Sequence, residues 1–181
     1  MRRIAVLALG LVLLAGACRK EKRPLTANLN AENKVAMRTV RLFYESPDML
    51  LVPETRNVAL PSNPAGAMAG VVRELFKGPM NPTVPRLFPA DTVVRGTYLL
   101  PDGTVLVDLG GPTLTAGWGT GSHQELMAVY SVVHTVTANF GEAKRVRFLL
   151  NGGPAESLGG HLWLARSLTP KPAFVDPRFR G

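Results

Sequence analysis

Cysteine is almost missing from this chain: 181 residues contain a single one, Cys18. One thiol excludes a disulfide framework and a cysteine-rich zinc site, so the folded part draws its stability from its core. Aromatic residues make up only 7% of the chain and do not interleave with the basic ones. A base-stacking surface for nucleic acid is therefore not expected. Acidic residues are also few, 13 against 21 lysines and arginines, for a formal charge of +8. Long apolar runs are rarer still. The longest, Ile4 to Ala15, spans about a dozen residues, fewer than the roughly 20 an α-helix needs to cross a hydrocarbon core.

That run has its own meaning. It follows Met1-Arg2-Arg3 and precedes Gly16-Ala17-Cys18, the charged, apolar and small-residue parts of a secretory signal. Ala15-Gly16-Ala17 directly before Cys18 resembles a lipobox, with the usual leucine one position early at Leu14. Residues 1–17 thus read as a lipoprotein signal peptide, and Cys18 as the lipidation site. The expectation is an exported protein, lipid-anchored to a membrane on the extracytoplasmic side. Loss of Arg2 and Arg3 from the 21 basic residues leaves 19 against 13 acidic ones, a mature charge of +6. Arg19, Lys20, Lys22, Arg23 and Lys34 lie near the anchor, where basic charge is drawn to anionic headgroups.

Residues 18–36 are charged, broken by Pro24 and poor in large apolar groups, and read as a flexible basic tether. Residues 37–168 have the length of one ordinary domain, and 169–181 read as an extended tail rich in proline and arginine. Val40–Tyr44 and Leu50–Val58 pattern as strands joined by Ser46-Pro47-Asp48, with Pro53 placing the second at a sheet edge. Asn63-Pro64 opens a helix whose stripe is Met68, Val71, Val72, Leu75 and Phe76, and Gly78-Pro79 stops it. Thr92–Leu100 and Thr104–Leu109 flank Pro101-Asp102-Gly103 as a hairpin. Ser122 and Glu125 have capping-box spacing at the start of a second helix running through Leu126, Val129, Tyr130, Val133 and Val136 to Gly141. Arg145–Leu150 is a further strand, and Leu158–Leu164 offers another. The order predicts an α+β class: a mixed sheet with two main helices packed on one face.

Six short motifs stand in this order: Leu51 to Arg56, Leu75 to Pro79, Val105 to Leu109, Gly121-Ser122 with Glu125, Val133 to Thr137, and Val146 to Gly152. As an ordered set they resemble the GerMN domain of sporulation and spore germination proteins. The resemblance implies a single GerMN domain, similar to the ring-building motifs of secretion and sporulation channels. It implies a non-catalytic envelope module that associates with itself or with another envelope protein. One such domain is expected here, where GerM carries two in tandem.

No catalytic set competes strongly with that reading. His123, His134 and His161 are scattered without metal-ligand spacing, so neither a metal nor a cofactor is expected. Ser122 lacks the glycine elbow of a serine nucleophile, and Gly117 to Gly121 lacks the lysine of a phosphate loop. Asp91, Asp102 and Asp108 fall at turns or strand ends. Trp118 and Trp163 suit core packing better than a display of aromatics on the surface. The alternative function is a cell-wall-binding or peptidoglycan-hydrolysing lipoprotein. Glu54 and Arg56, on the expected edge strand, are the candidate partner-docking residues, charges able to deter indiscriminate pairing and select one partner.

Overall fold

The computed structural model describes residues 34–180. The proposed signal segment, Cys18 and most of the tether lie outside the described residues. Strands β1 (Val35–Glu45) and β2 (Leu51–Pro61) form an antiparallel hairpin in which Glu45 faces Leu51 and Val35 faces Pro61. Its turn is closed by the Ser46 amide donating to the Leu50 carbonyl at 2.8 Å, with Met49 in left-handed backbone at φ 59°. The hairpin is longer than the alternation predicts, because Val35 to Thr39 are exposed throughout and carry no in-and-out pattern. Val35 and Ala36, read as tether, belong to β1.

Helix α1 (Pro64–Phe76) starts as expected. The Asn63 side chain accepts the Gly66 amide at 2.6 Å, and Pro64 occupies the first turn, where no amide is needed. Met68, Val71, Val72 and Leu75 are buried. Strands β3 (Val93–Leu99) and β4 (Thr104–Gly110) form the second hairpin. The Asp102 carboxylate accepts both the amide and the hydroxyl of Thr104 at 2.9 Å, while Gly103 takes the left-handed position at φ 81°. A short helix α2 (Pro112–Gly117) then precedes α3 (Ser122–Asn139), which leads to β5 (Arg145–Leu150), parallel to β4, and the two-residue β6 (Gly153–Pro154).

The class is α+β, but the strands divide into two sheets where one was expected: β1-β2, and a mixed β3-β4-β5-β6 sheet. Helix α1 touches β1, β2 and β3, while α3 touches β1 and β5, so the helices bridge the sheets. The division has a local cause. The Arg41 amide donates to Asn139 Oδ1 at 2.9 Å, Asn139 Nδ2 donates back to the Arg41 carbonyl at 2.7 Å, and the Phe43 amide donates to Thr135 Oγ1 at 3.1 Å. Side chains of α3 thereby occupy the β1 edge at Arg41 and Phe43, where a third strand would pair. Helix α3 is surrounded, with every residue from Met127 to Val136 buried.

The last segment also differs from expectation. In place of an extended tail, residues 172–174 and 177–179 form single tight turns. Val175 is buried and pairs with Leu51, Leu168 pairs with Val146, and Phe174 meets the Tyr130 ring edge-on at 4.5 Å. Apolar Leu168, Phe174 and Val175, spread among prolines and arginines, are enough to dock the segment on the core.

Candidate interaction surface

Two of the motifs meet in space. Arg56 Nε donates to Glu54 Oε1 at 2.6 Å, one terminal nitrogen reaches Glu74 Oε1 at 3.1 Å and the other the Gly78 carbonyl at 2.6 Å. Glu54 Oε2 in turn accepts the Met80 amide at 2.9 Å. Tyr44 lies under the guanidinium, 5.6 Å from its carbon, and its hydroxyl donates to the carbonyls of Leu75 and Gly78, both at 3.0 Å. Burial, the largest influence on Tyr44, pushes its phenol pKa up, so it stays protonated and a donor. The structure thus turns Glu54 and Arg56 inward, as a clasp between β2 and the end of α1. This departs from the freely presented charges that the edge-strand pattern suggests. The alternation of β2 could not reveal it, because α1 comes from elsewhere in the chain to cover that face.

The surface that β2 does offer is its backbone. In an antiparallel ladder, facing residues direct their amides and carbonyls either toward each other or both away. The groups of Arg41 and Phe43 bond to α3, so those of their partners Thr55 and Pro53 point away from β1. Asn57 and Ala59 follow at the same period, and Thr55, Asn57 and Ala59 are exposed. Pro53 lies in this outward register, where it has no ladder bond to lose.

Glu125 has a role that its spacing concealed. The capping box is not formed: no side chain caps α3, and Ser122 is exposed. Glu125 is instead 0% exposed and accepts five hydrogen bonds from one loop. Oε1 receives the Ser157 hydroxyl at 2.7 Å and the amides of Leu158 and Gly159 at 2.9 Å; Oε2 receives the amides of His161 at 2.7 Å and Leu162 at 3.1 Å. These amides are spent on the carboxylate, and Leu158–Leu164 accordingly forms no strand. Glycine is required at position 159, where a Cβ would stand 2.5 Å from Thr120 Cγ2. The loop displays Trp163, 59% exposed, whereas Trp118 is buried and stacks on Phe88 with centroids 5.7 Å apart. Core packing thus describes Trp118 and not Trp163.

The remaining polar candidates sit apart. His123 contacts Glu45, His134 Nε2 meets the backbone of Lys171, and His161 Nε2 lies 2.8 Å from the Thr120 carbonyl. Asp91 accepts the Thr113 amide at 2.8 Å at the start of α2, which holds its carboxyl below the usual range. Asp108 accepts the Gly152 amide at 2.9 Å and lies 3.4 Å from Arg95 Nε. Among the described residues, no group of three or more histidine, cysteine or acidic side chains could hold a metal ion. No described helix is long and apolar enough to cross a membrane.

A hairpin, a mixed sheet and two bridging helices, with the motif residues spent on internal clasps, define a single α+β domain of the GerMN type. The chain belongs to the sporulation and spore germination family, called Germane, whose family model matches residues 41–156. The tandem GerMN domains of the sporulation protein GerM from Bacillus subtilis superpose with a TM-score of 0.51 at 20% identity, covering 75% of this chain and 46% of that one. The chain therefore spans about half the length of the tandem protein. A Clostridium perfringens protein provisionally described as a lipoprotein superposes with a TM-score of 0.50 at 13% identity, over 75% of this chain and 87% of the other. No curated protein matches the sequence.

Proposed function

We propose that this protein is a lipid-anchored envelope module of the GerM kind, acting by docking on another envelope protein or on a second copy and not by catalysis. Membership of the sporulation and spore germination family carries the reading. The lipobox-like Ala15-Gly16-Ala17-Cys18 supports the anchor, as does the likeness to the Clostridium perfringens protein. The docking element is the outward edge of β2, a row at Thr55, Asn57 and Ala59 that is unpaired among the described residues and that an extended segment of the partner can join by backbone hydrogen bonds. Glu54 and Arg56 serve this surface by fixing the edge strand against α1. Confinement of both partners to one membrane raises their effective concentration, so that a weak contact suffices.

The test is cross-linking in cells. Cys18→Ser abolishes fatty-acid labelling and sharply lowers the yield of cross-linked partner, and Ala59→Pro lowers that yield while labelling and folding persist. Ala59 shares the outward register of Pro53, so proline there removes an amide that the hairpin does not use. Fatty acid still incorporated into Cys18→Ser would refute the anchor. Undiminished cross-linking in Ala59→Pro would refute the edge, and cleavage of peptidoglycan by the purified protein would favour the hydrolytic alternative.

A further inference from the structure

A cavity of about 420 Å³ opens between β1, the C-terminal half of α3 and the turns at residues 170–180. Arg41, Lys144 and Arg180 stand around it, and Phe43, His134 and Phe179 supply flat ring surface. No aspartate or glutamate lines it. Among the described residues, none of the three cations has a carboxylate within ion-pairing distance. Two of them are held in place without a contacting carboxylate, Asp176 acting on Arg180 only from beyond ion-pairing distance. The Arg41 guanidinium lies 5.5 Å from the Phe43 ring centroid, and Arg180 Nε donates to the Val175 carbonyl at 2.9 Å, with its two terminal nitrogens unpartnered among the described residues.

Three positive charges around a concavity of small-molecule size, with no contacting carboxylate among the described residues, favour an anion. Planar guanidinium forks match phosphate oxygens, and Lys144 adds a point charge. A carboxylate places its two oxygens in one plane, whereas the free oxygens of a phosphate ester point in tetrahedral directions toward cations on different sides, with one charge on a diester and up to two on a monoester. The rings of Phe43 and Phe179 give the organic side of an ester an apolar bed. We infer that this cavity binds a phosphate ester, with the phosphate held by Arg41, Lys144 and Arg180 and the organic group resting on the two phenyl rings. The chemistry is shared by a soluble phosphate ester and by a phospholipid headgroup, and it stands independently of docking at β2.

The experiment uses the full chain in phosphate-free maltoside micelles and follows backbone amide NMR signals of Phe43, Val175 and Phe179. One arm adds glycerol 3-phosphate; the other dopes the micelles with phosphatidylglycerol. Saturable shifts at these amides in at least one arm are expected, and Arg41→Gln with Arg180→Gln weakens binding about tenfold or more at an unchanged Tm. Saturation by glycerol 3-phosphate assigns a soluble ester, and saturation by the doped lipid alone assigns a headgroup. Absence of saturable shifts in both arms overturns the site. So does binding that survives the double substitution, or that falls equally in Arg38→Gln, an exposed β1 cation outside the cavity.

Discussion

Replacing Glu125 by glutamine changes one atom and tests the loop anchor directly. The best placement of the new amide keeps its oxygen toward Ser157, Leu158 and Gly159, and leaves its nitrogen facing the amides of His161 and Leu162. Those two donors then lack an acceptor in a partly buried place, each at about 1–3 kcal/mol. The expected loss is about 2–6 kcal/mol, a large share of the roughly 5–15 kcal/mol that holds a domain together. A urea titration should show a lower midpoint at unchanged slope, and hydrogen exchange should quicken at His161 and Leu162 first. The same carboxylate makes stability depend on pH. Burial is the largest single influence and raises its pKa, but the bonds from Gly159, Ser157, His161 and Leu158 together outweigh it, and the folded pKa lies below the ordinary 4.5. The unfolded chain therefore takes up the proton first. Stability from this group is complete above the ordinary value and is lost as pH falls through it toward the folded one. A Glu125→Gln protein within about 0.5 kcal/mol of wild type, with the loop amides still protected, would refute the reasoning, since surface changes alone have effects of that size.

Ser122→Ala should leave the urea midpoint unchanged within about 0.5 kcal/mol, because the exposed hydroxyl caps nothing; a loss near 1 kcal/mol would restore the cap. Tyr44→Phe should cost about 1–2 kcal/mol through the lost hydroxyl bonds to Leu75 and Gly78, read as a lower Tm. Asn139→Ala should destabilise by a similar amount, about 1–2 kcal/mol, and expose the Arg41 amide to exchange.

How far the fold was legible follows from the range of each signal. Local chemistry was readable: Asn63-Pro64 caps α1, Pro101-Asp102-Gly103 turns the second hairpin, and the stripe on α1 is buried. The ordered motifs also pointed to the family. What escaped depends on contacts between distant segments. Glu125 sits three residues after a serine, and a capping box and a loop anchor share that spacing; its donors lie more than 30 residues away. Thr135 and Asn139 read as helix positions with no sign of the strand they complete, so two sheets looked like one. Arg41, Lys144 and Arg180 are separated by most of the domain and carry no common motif, and the cavity they surround became visible only once the C-terminal turns had docked.

The helix side chains that complete β1 also limit what the domain can build. A sheet open on both sides can add copies without end, which is how edge-to-edge association becomes a fibre. Here Asn139 and Thr135 seal β1 at Arg41 and Phe43, and the Asp176 amide caps β2 at Leu51, so the turn half of the hairpin is closed and the outward register leaves a β1 row only at Val35, Met37 and Thr39. Two copies meeting edge to edge through β2 would use up both β2 rows in a closed pair, the isologous arrangement. A longer array would have to continue through the short row at Val35, Met37 and Thr39, so the bonds from α3 bias the hairpin toward the closed pair by shortening its second edge.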